Sequence, residues 1–262
     1  MSKEVLFVEQ KVCEINGLRV SYIDEGAPVK GTVLLLHGWG VTASLYHLVI
    51  GHLATRYRVV APDLPGFGGS QEPSAPWCVA DYADFIKAFA AGVGVEEAVL
   101  VGHSYGCRIA IRLLADKALP VKKAVFMGAA GVKPRRSLWF YIRQAGYKCG
   151  RWFLSLPPVK KCFPGALDNL RNRRASADYR NASPVMRQTL VRSIGEDLTP
   201  LLPAVAVPVL LLFGDSDTAT PVYMGRVMES RIPDAGLVIL HGGHYAFAEQ
   251  WGQCSRILDS FL

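Results

Sequence analysis

The stretch that most constrains this chain runs from Val99 to Ala110: Val-Leu-Val-Gly-His-Ser-Tyr-Gly-Cys-Arg-Ile-Ala. An apolar, β-branched run reaches Gly102, and a helix-forming pattern begins at Tyr105. Between them lies Gly102-x-Ser104-x-Gly106, a strand-to-helix turn too tight to accept Cβ atoms at its flanks. Such a turn lifts the Ser104 hydroxyl clear of the sheet edge. It also sets Ser104 at a helix N-terminus, where unpaired N–H groups and the macrodipole favour developing negative charge. The competing reading is a Gly-Ser turn without chemistry, and what surrounds it in the chain decides between the two.

Before the turn, Leu18–Asp24 alternates apolar and polar, the pattern of a half-buried edge strand. Thr32–Leu36 is apolar throughout, as in a strand covered on both faces, and runs into His37-Gly38-Trp39-Gly40. Ser44–Ala54 reads as a helix and Tyr57–Ala61 as a strand that enters the loop Pro62-Asp63-Leu64-Pro65-Gly66-Phe67-Gly68-Gly69-Ser70. Cys78–Ala91 is a helix with Val79, Tyr82, Phe85, Ile86 and Phe89 on one stripe. Ala124–Gly128 is a further strand. From Gly131 to Pro200 the rhythm changes to basic and aromatic helical stretches. Alternation returns at Val207–Phe213, followed by a helix, a strand at Leu237–Leu240 and a last helix. This order predicts an α/β fold: a doubly wound, mostly parallel sheet with a helical cap inserted after the sixth strand. Residues 1–131 and 200–262 form the core in this reading, and 132–199 the cap.

The length, 262 residues with half of them hydrophobic, suits one large core and a small insert. No apolar run approaches the ~20 residues of a membrane span. The N-terminus has no signal-peptide pattern, and the six cysteines form neither Cys-x-x-Cys nor a zinc spacing. A cytoplasmic protein with reduced thiols is expected. Charge is uneven. Between Val132 and Pro200 fourteen Lys/Arg face four Asp/Glu, which leaves +10 there and −3 in the remainder of a chain whose total is +7. A basic segment on a mildly acidic body suits anionic ligands or an anionic surface, against the plainer reading of a solvated face.

A serine hydroxyl needs a base. His47 and His52 sit on an early helix, His37 ends a strand, and His103 points to the face of its strand opposite Ser104. His241 and His244 follow the last strand at its C-terminal end, where open α/β sheets bind ligands. His244, beyond Gly242-Gly243, is the residue chosen, with His241 as the alternative. The base needs an acid to fix its tautomer, and the loop Phe213–Pro221 offers Asp215 and Asp217. Two backbone N–H groups are placed for an oxyanion, those of Tyr105 and of Trp39.

In these residues the chain resembles the α/β-hydrolase superfamily, in its small capped branch of esterases, lipase-like hydrolases and carbon–carbon bond hydrolases. Four motifs carry the likeness in order: His37–Gly40, Asp63–Ser70, Gly102–Gly106, and Gly214-x-x-Asp217-x-x-x-Pro221 followed by Gly243-His244. The resemblance selects Asp217 over Asp215, so the implied triad is Ser104, Asp217 and His244, with no cofactor or metal. The sequence departs from the esterases at Cys107, where they often have a second glycine, and from the usual Met, Leu or Gln at Tyr105; Val41-Thr42 after Gly40 and Tyr245 after the base move it away from the carbon–carbon hydrolases. Ser104 sets it apart from the dehalogenases of this fold, which use Asp there.

The expected activity is hydrolysis of a carboxylic ester through an acyl-enzyme. The substrate is a small-molecule ester, anionic or with an apolar acyl chain; no nucleic acid is implied, and the protein is a monomer or homodimer. Hydrolysis of a carbon–carbon or amide bond, and ligand binding without turnover, are the alternatives. In the cap, Trp139, Phe140, Tyr141, Trp152, Phe153 and Leu154 either wall an acyl pocket or pack the cap. Arg171, Arg173, Arg174 and Arg180 either hold an anion or face solvent, and the Lys160–Lys161 region could meet a membrane surface.

Overall fold

The computed structural model describes residues 10–134, 138–162, 165 and 177–262. Alternation along the apolar strands builds its core. In Thr32–Leu36 (β3), Ala98–His103 (β5), Val121–Met127 (β6) and Val209–Gly214 (β7), successive side chains point to opposite faces. Leu34, Leu36, Leu100, Phe126, Leu211 and Phe213 enter one buried cluster, and Val33, Leu35, Val101, Val125, Met127 and Leu212 enter the other. The first face is covered by Val79–Gly92 (α2), Tyr105–Ala115 (α3) and Val222–Arg231 (α8), the second by His47–Ala54 (α1), Ala246–Glu249 (α9) and Trp251–Phe261 (α10). Each fully buried Leu, Val or Phe contributes about 1.5–3 kcal/mol relative to exposure. Helices on both faces explain why the covered lengths of these strands are largely apolar, Lys122 and Lys123 falling at the open start of β6.

Among the described residues the sheet has eight strands in the order β1-β2-β4-β3-β5-β6-β7-β8, where β1 is Gln10–Ile15, β2 Leu18–Glu25, β4 Arg58–Pro62 and β8 Ala235–Leu240. The β1–β2 and β2–β4 pairs are antiparallel and the others parallel. The chain runs from β3 to one side and returns to the other side at β5. The crevice between their C-terminal ends is therefore the switch point at which this class of sheet binds ligands.

One expectation needs correcting. The Leu18–Asp24 strand was expected at the sheet edge, but β2 has a neighbour on each side and β1 forms the edge. β1 is largely polar and exposed, so it carries little periodic signal. Its sequence clue is Asn16-Gly17, both at positive φ (50° and 77°), the two-residue turn that favours a tight hairpin. Asp24 then ties three strands, accepting from Arg58 Nε (2.8 Å) and from Lys11 Nζ (3.0 Å).

The chain divides into two compact units. One comprises the chain up to Lys133 and from Gln188 onward, the other Pro134–Arg187. The second unit follows β6 and contains Leu138–Ser155 (α4), Pro157–Cys162 (α5) and Ala177–Asn181 (α6). Pro184–Gly195 (α7) begins in it and ends in the first. No described helix is long and apolar enough to cross a membrane.

A Cβ on Gly106 would lie 2.1 Å from the Leu36 carbonyl oxygen, which is backbone of the adjoining strand and cannot yield. Gly51, on the exposed side of α1, has nothing within 4 Å of its would-be Cβ. Gly106→Ala should cost more than about 2 kcal/mol in urea unfolding, whereas Gly51→Ala should be neutral or stabilising by up to about 1 kcal/mol.

Candidate active site

Ser104 is the single residue between β5 and α3, and its backbone is at φ 48°, ψ −105°. That conformation is costly for a residue with a Cβ, by about 1–3 kcal/mol, and persists only when its surroundings impose it. Here they do. The Ser104 N–H donates to the Met127 carbonyl (3.0 Å), and its own carbonyl accepts from Cys107 N–H and Ala130 N–H (both 3.2 Å).

On the far side of the crevice, β7 and β8 present the Asp217 and His244 loops. His244 Nδ1 and Asp217 Oδ2 are 2.7 Å apart. A carboxylate only accepts, so Nδ1 carries the proton and Nε2 is left with the lone pair. The Asp217 side chain is fully buried. Its Oδ1 accepts from the N–H groups of Ala219 (2.8 Å) and Thr220 (3.0 Å), and its Oδ2 also from the Thr220 hydroxyl (2.7 Å). Burial alone would push the carboxyl up, but the bonds from His244 and Thr220 outweigh it and hold Asp217 down at about 2. Asp215 pairs instead with His241, Oδ2 to Nδ1 at 2.8 Å, and that pair is exposed.

The imidazole of His244 lies over Gly128, the residue after the carbonyl that receives the Ser104 amide. A Cβ on Gly128 (φ 50°) would come within 3.4 Å of His244 Nδ1. On the opposite flank, a Cβ on Gly38 would lie 3.5 Å from Ser104 Cβ. The Trp39 and Tyr105 rings touch edge to face at 5.1 Å between centroids, so the two residues expected to supply oxyanion N–H groups are neighbours. Tyr105 opens α3, where helix N–H groups lack carbonyl partners.

His103 and Tyr46 are the residues that sequence reasoning missed. Gly38 N–H donates to the Tyr46 hydroxyl (3.0 Å), that hydroxyl contacts His103 Nδ1 (2.8 Å), and His103 Nε2 contacts the His244 carbonyl (3.0 Å). The carbonyl can only accept, so Nε2 carries the proton and Nδ1 receives the Tyr46 O–H. Burial drives His103 down to about 3, which keeps the ring neutral and this direction fixed. The chain ties the loop after β3, the elbow and the His244 loop together.

His37 makes a parallel link. Its Nε2 accepts from Leu64 N–H (2.8 Å), so Nδ1–H donates to the Gly38 carbonyl (2.7 Å); desolvation pushes its ring toward the neutral form. Buried Asp63 accepts from Ala43 N–H and Gly69 N–H (both 2.9 Å), fixing the glycine-rich loop. Thus two of the four sequence motifs hold loops in place.

Of the residues singled out between β6 and β7, Arg171, Arg173 and Arg174 lie outside the described residues, as do the side chains of Trp139, Phe140, Tyr141, Lys160 and Lys161. Arg180 is exposed, and Trp152 and Phe153 face solvent. Among the described residues no three His, Cys, Asp or Glu side chains gather as a metal-binding cluster.

Residues 33–257 match the model of the Alpha/beta hydrolase family. The chain belongs to that family. Among similar proteins, the Bacillus subtilis (strain 168) AB hydrolase superfamily protein YisY is 27% identical, over 93% of this chain and 94% of its own. The pimeloyl-[acyl-carrier protein] methyl ester esterase of Nitrosomonas europaea is 25% identical, over 85% of this alpha/beta hydrolase and 93% of that enzyme. Among solved structures, a bacterial membrane phospholipase A superposes with TM-score 0.76 at 29% identity, covering 97% of this chain and 85% of the other. The enol-lactonase of Burkholderia xenovorans LB400, 20% identical with TM-score 0.73 over 96% of this chain and 99% of its own, shares the fold.

Tyr46→Phe would leave Gly38 N–H and His103 Nδ1 both buried without this partner. It should cost about 1–3 kcal/mol in urea unfolding, although the hydroxyl touches no exposed group. Because the folded Asp217 carboxyl ionises below its ordinary value of 3.8, its charged form adds stability that is complete above that value and lost as pH falls through about 2. Asp217→Asn should therefore flatten the fall in unfolding free energy between about pH 4 and pH 2. Equal slopes in the two proteins would contradict the pairing.

Proposed function

We propose that this alpha/beta hydrolase cleaves small carboxylic esters through a covalent acyl-enzyme. The reading is carried by the His244–Asp217 contact of 2.7 Å, with its donor direction fixed, at the rim that also bears the strained Ser104. In this scheme His244 Nε2 takes the Ser104 hydroxyl proton as Oγ attacks the acyl carbon. The carbonyl π pair moves onto oxygen, where the Trp39 and Tyr105 N–H groups receive it. Collapse expels the alcohol, protonated by His244, and a water deprotonated by His244 then releases the acid. Buried Asp217 holds the imidazole in the required tautomer and offsets its positive charge. Each oxyanion N–H contributes about 3–4 kcal/mol to the transition state.

An ester fits better than other acyl compounds because proteins similar over most of the chain include a methyl ester esterase and a membrane phospholipase A. The segment between β6 and β7, residues 132–199 in the sequence reading, is proposed as a cap. A cytoplasmic setting belongs to the same reading: five of the six cysteines, Cys13, Cys78, Cys107, Cys149 and Cys254, are free thiols.

The purified protein should hydrolyse p-nitrophenyl butyrate and be labelled by a fluorophosphonate. Ser104→Ala should lose both, with kcat/KM down by about 10³-fold or more. Absence of turnover and labelling in the wild type would sink the ester reading. A Ser104→Ala protein as active as wild type would move the chemistry elsewhere.

A further inference from the structure

The second unit has a charge and a surface that ester cleavage does not use. Residues 134–187 carry twelve Lys/Arg and two Asp/Glu, and between Asp116 and Asp168 the chain has no acid at all. Helix α4 lies inside that stretch. Along its described side chains, Gln144, Tyr147 and Leu154 are half-buried and recur at three- and seven-residue steps, so they mark its packed face. Lys148, Cys149, Trp152 and Phe153 are exposed on the outward side, and Arg151, four residues after Tyr147 and three before Leu154, is exposed at the margin of the packed face. Trp152 is 67% exposed and Phe153 54%. Two large rings on the solvent side of a helix, flanked by cations and by no carboxylate, reverse the arrangement of a helix that packs only on its own core.

We propose that this face of α4 docks on a bilayer surface rich in anionic lipid. Trp152 and Phe153 enter the boundary between headgroups and acyl chains, and Lys148 and Arg151 meet lipid phosphates. The docking lies in the membrane plane, since no described helix is apolar enough to cross. Charge decides against a second copy of the chain, the other occupant that exposed rings invite. A two-fold contact would set a unit of net charge +10 against itself, whereas an anionic surface complements it. Trp and the basic side chains are also the residues that settle at lipid–water boundaries, ring in the apolar layer and polar tip in the wet one. The inference is independent of the ester reading.

The test is co-sedimentation of the purified protein with vesicles of phosphatidylcholine alone and with a quarter phosphatidylglycerol. The protein should pellet with the anionic vesicles, remain in the supernatant with the neutral ones, and release as salt is raised. The double variants Trp152→Ala/Phe153→Ala and Lys148→Gln/Arg151→Gln should each weaken binding by about tenfold or more, with wild-type melting curves. Hydrolysis of a soluble p-nitrophenyl ester, where the wild type shows it, should be unchanged. The proposal is overturned if the wild type does not pellet with anionic vesicles, or if either variant binds them as tightly as wild type. It is also overturned if the wild type is a dimer that Trp152→Ala/Phe153→Ala dissociates while no vesicle binding is seen; the face would then belong to self-association.

Discussion

A serine held at φ 48° is the constraint around which the sheet is arranged. Nothing intrinsic to serine favours that backbone, so neighbours must impose it. Met127 receives its amide, and Met127 stands opposite His103 in the β5–β6 ladder. Gly106 presses against the Leu36 carbonyl, and Leu36 stands opposite Gly102 in the β3–β5 ladder. The elbow therefore depends on the register of three parallel strands. A slip of one residue in either ladder would remove the acceptor for Ser104 or drive α3 into β3, and would also turn each strand's apolar set to the wrong face.

The same parallel strands end in loops, and loops alone do not hold positions to fractions of an ångström. Buried neutral histidines do that here. A backbone N–H or carbonyl shut away from water needs a partner, and Gly38 and His244 find theirs through Tyr46 and His103. Desolvation removes the proton that would make either ring nitrogen ambiguous, so each contact has one donor and one acceptor. A protonated His103 would have two donors facing Tyr46 and a carbonyl, and the Tyr46 oxygen would already be accepting from Gly38. Low basicity is thus part of how the network keeps its geometry, and it explains why two aromatic polar residues occupy an otherwise apolar layer beside Phe247.

Much of this was legible in the sequence, for identifiable reasons. The apolar strands announced a doubly covered sheet because helices on both faces forbid polar residues. The glycine-flanked serine announced its turn because close backbone approach leaves no room for other residues. Asp217 and Asp215 were harder to separate. Both follow the same strand, and each takes a histidine at nearly the same distance, 2.7 Å and 2.8 Å. What separates them is burial, which spacing does not encode. His103 was set aside because alternation turns it from Ser104 toward the face of Val99 and Val101. The His244 loop folds onto that same face, with Tyr245 stacked on the His103 ring at 5.0 Å. Contacts between residues 141 apart in sequence leave no periodic trace. β1 was missed for the opposite reason: its polar side chains carry no pattern, and only the Asn16-Gly17 turn betrays it.

The tolerance of this frame for a long insertion follows from how the insertion is rooted. Leu198 N–H donates to the Gly131 carbonyl at 3.0 Å, so the chain's exit toward the inserted unit and its return are bonded to each other on the body. β6 and β7 then pair directly, Ala124 opposite Val209 through Met127 opposite Leu212, as though nothing separated them. Lengthening a loop whose ends are already clamped adds only a slowly growing entropy cost, about 0.6 kcal/mol for each doubling. Composition inside the clamp is accordingly free of the sheet's demands for apolar, β-branched residues. A run of cations with exposed rings, which would unfold a central strand, is carried there without disturbing the register on which Ser104 depends.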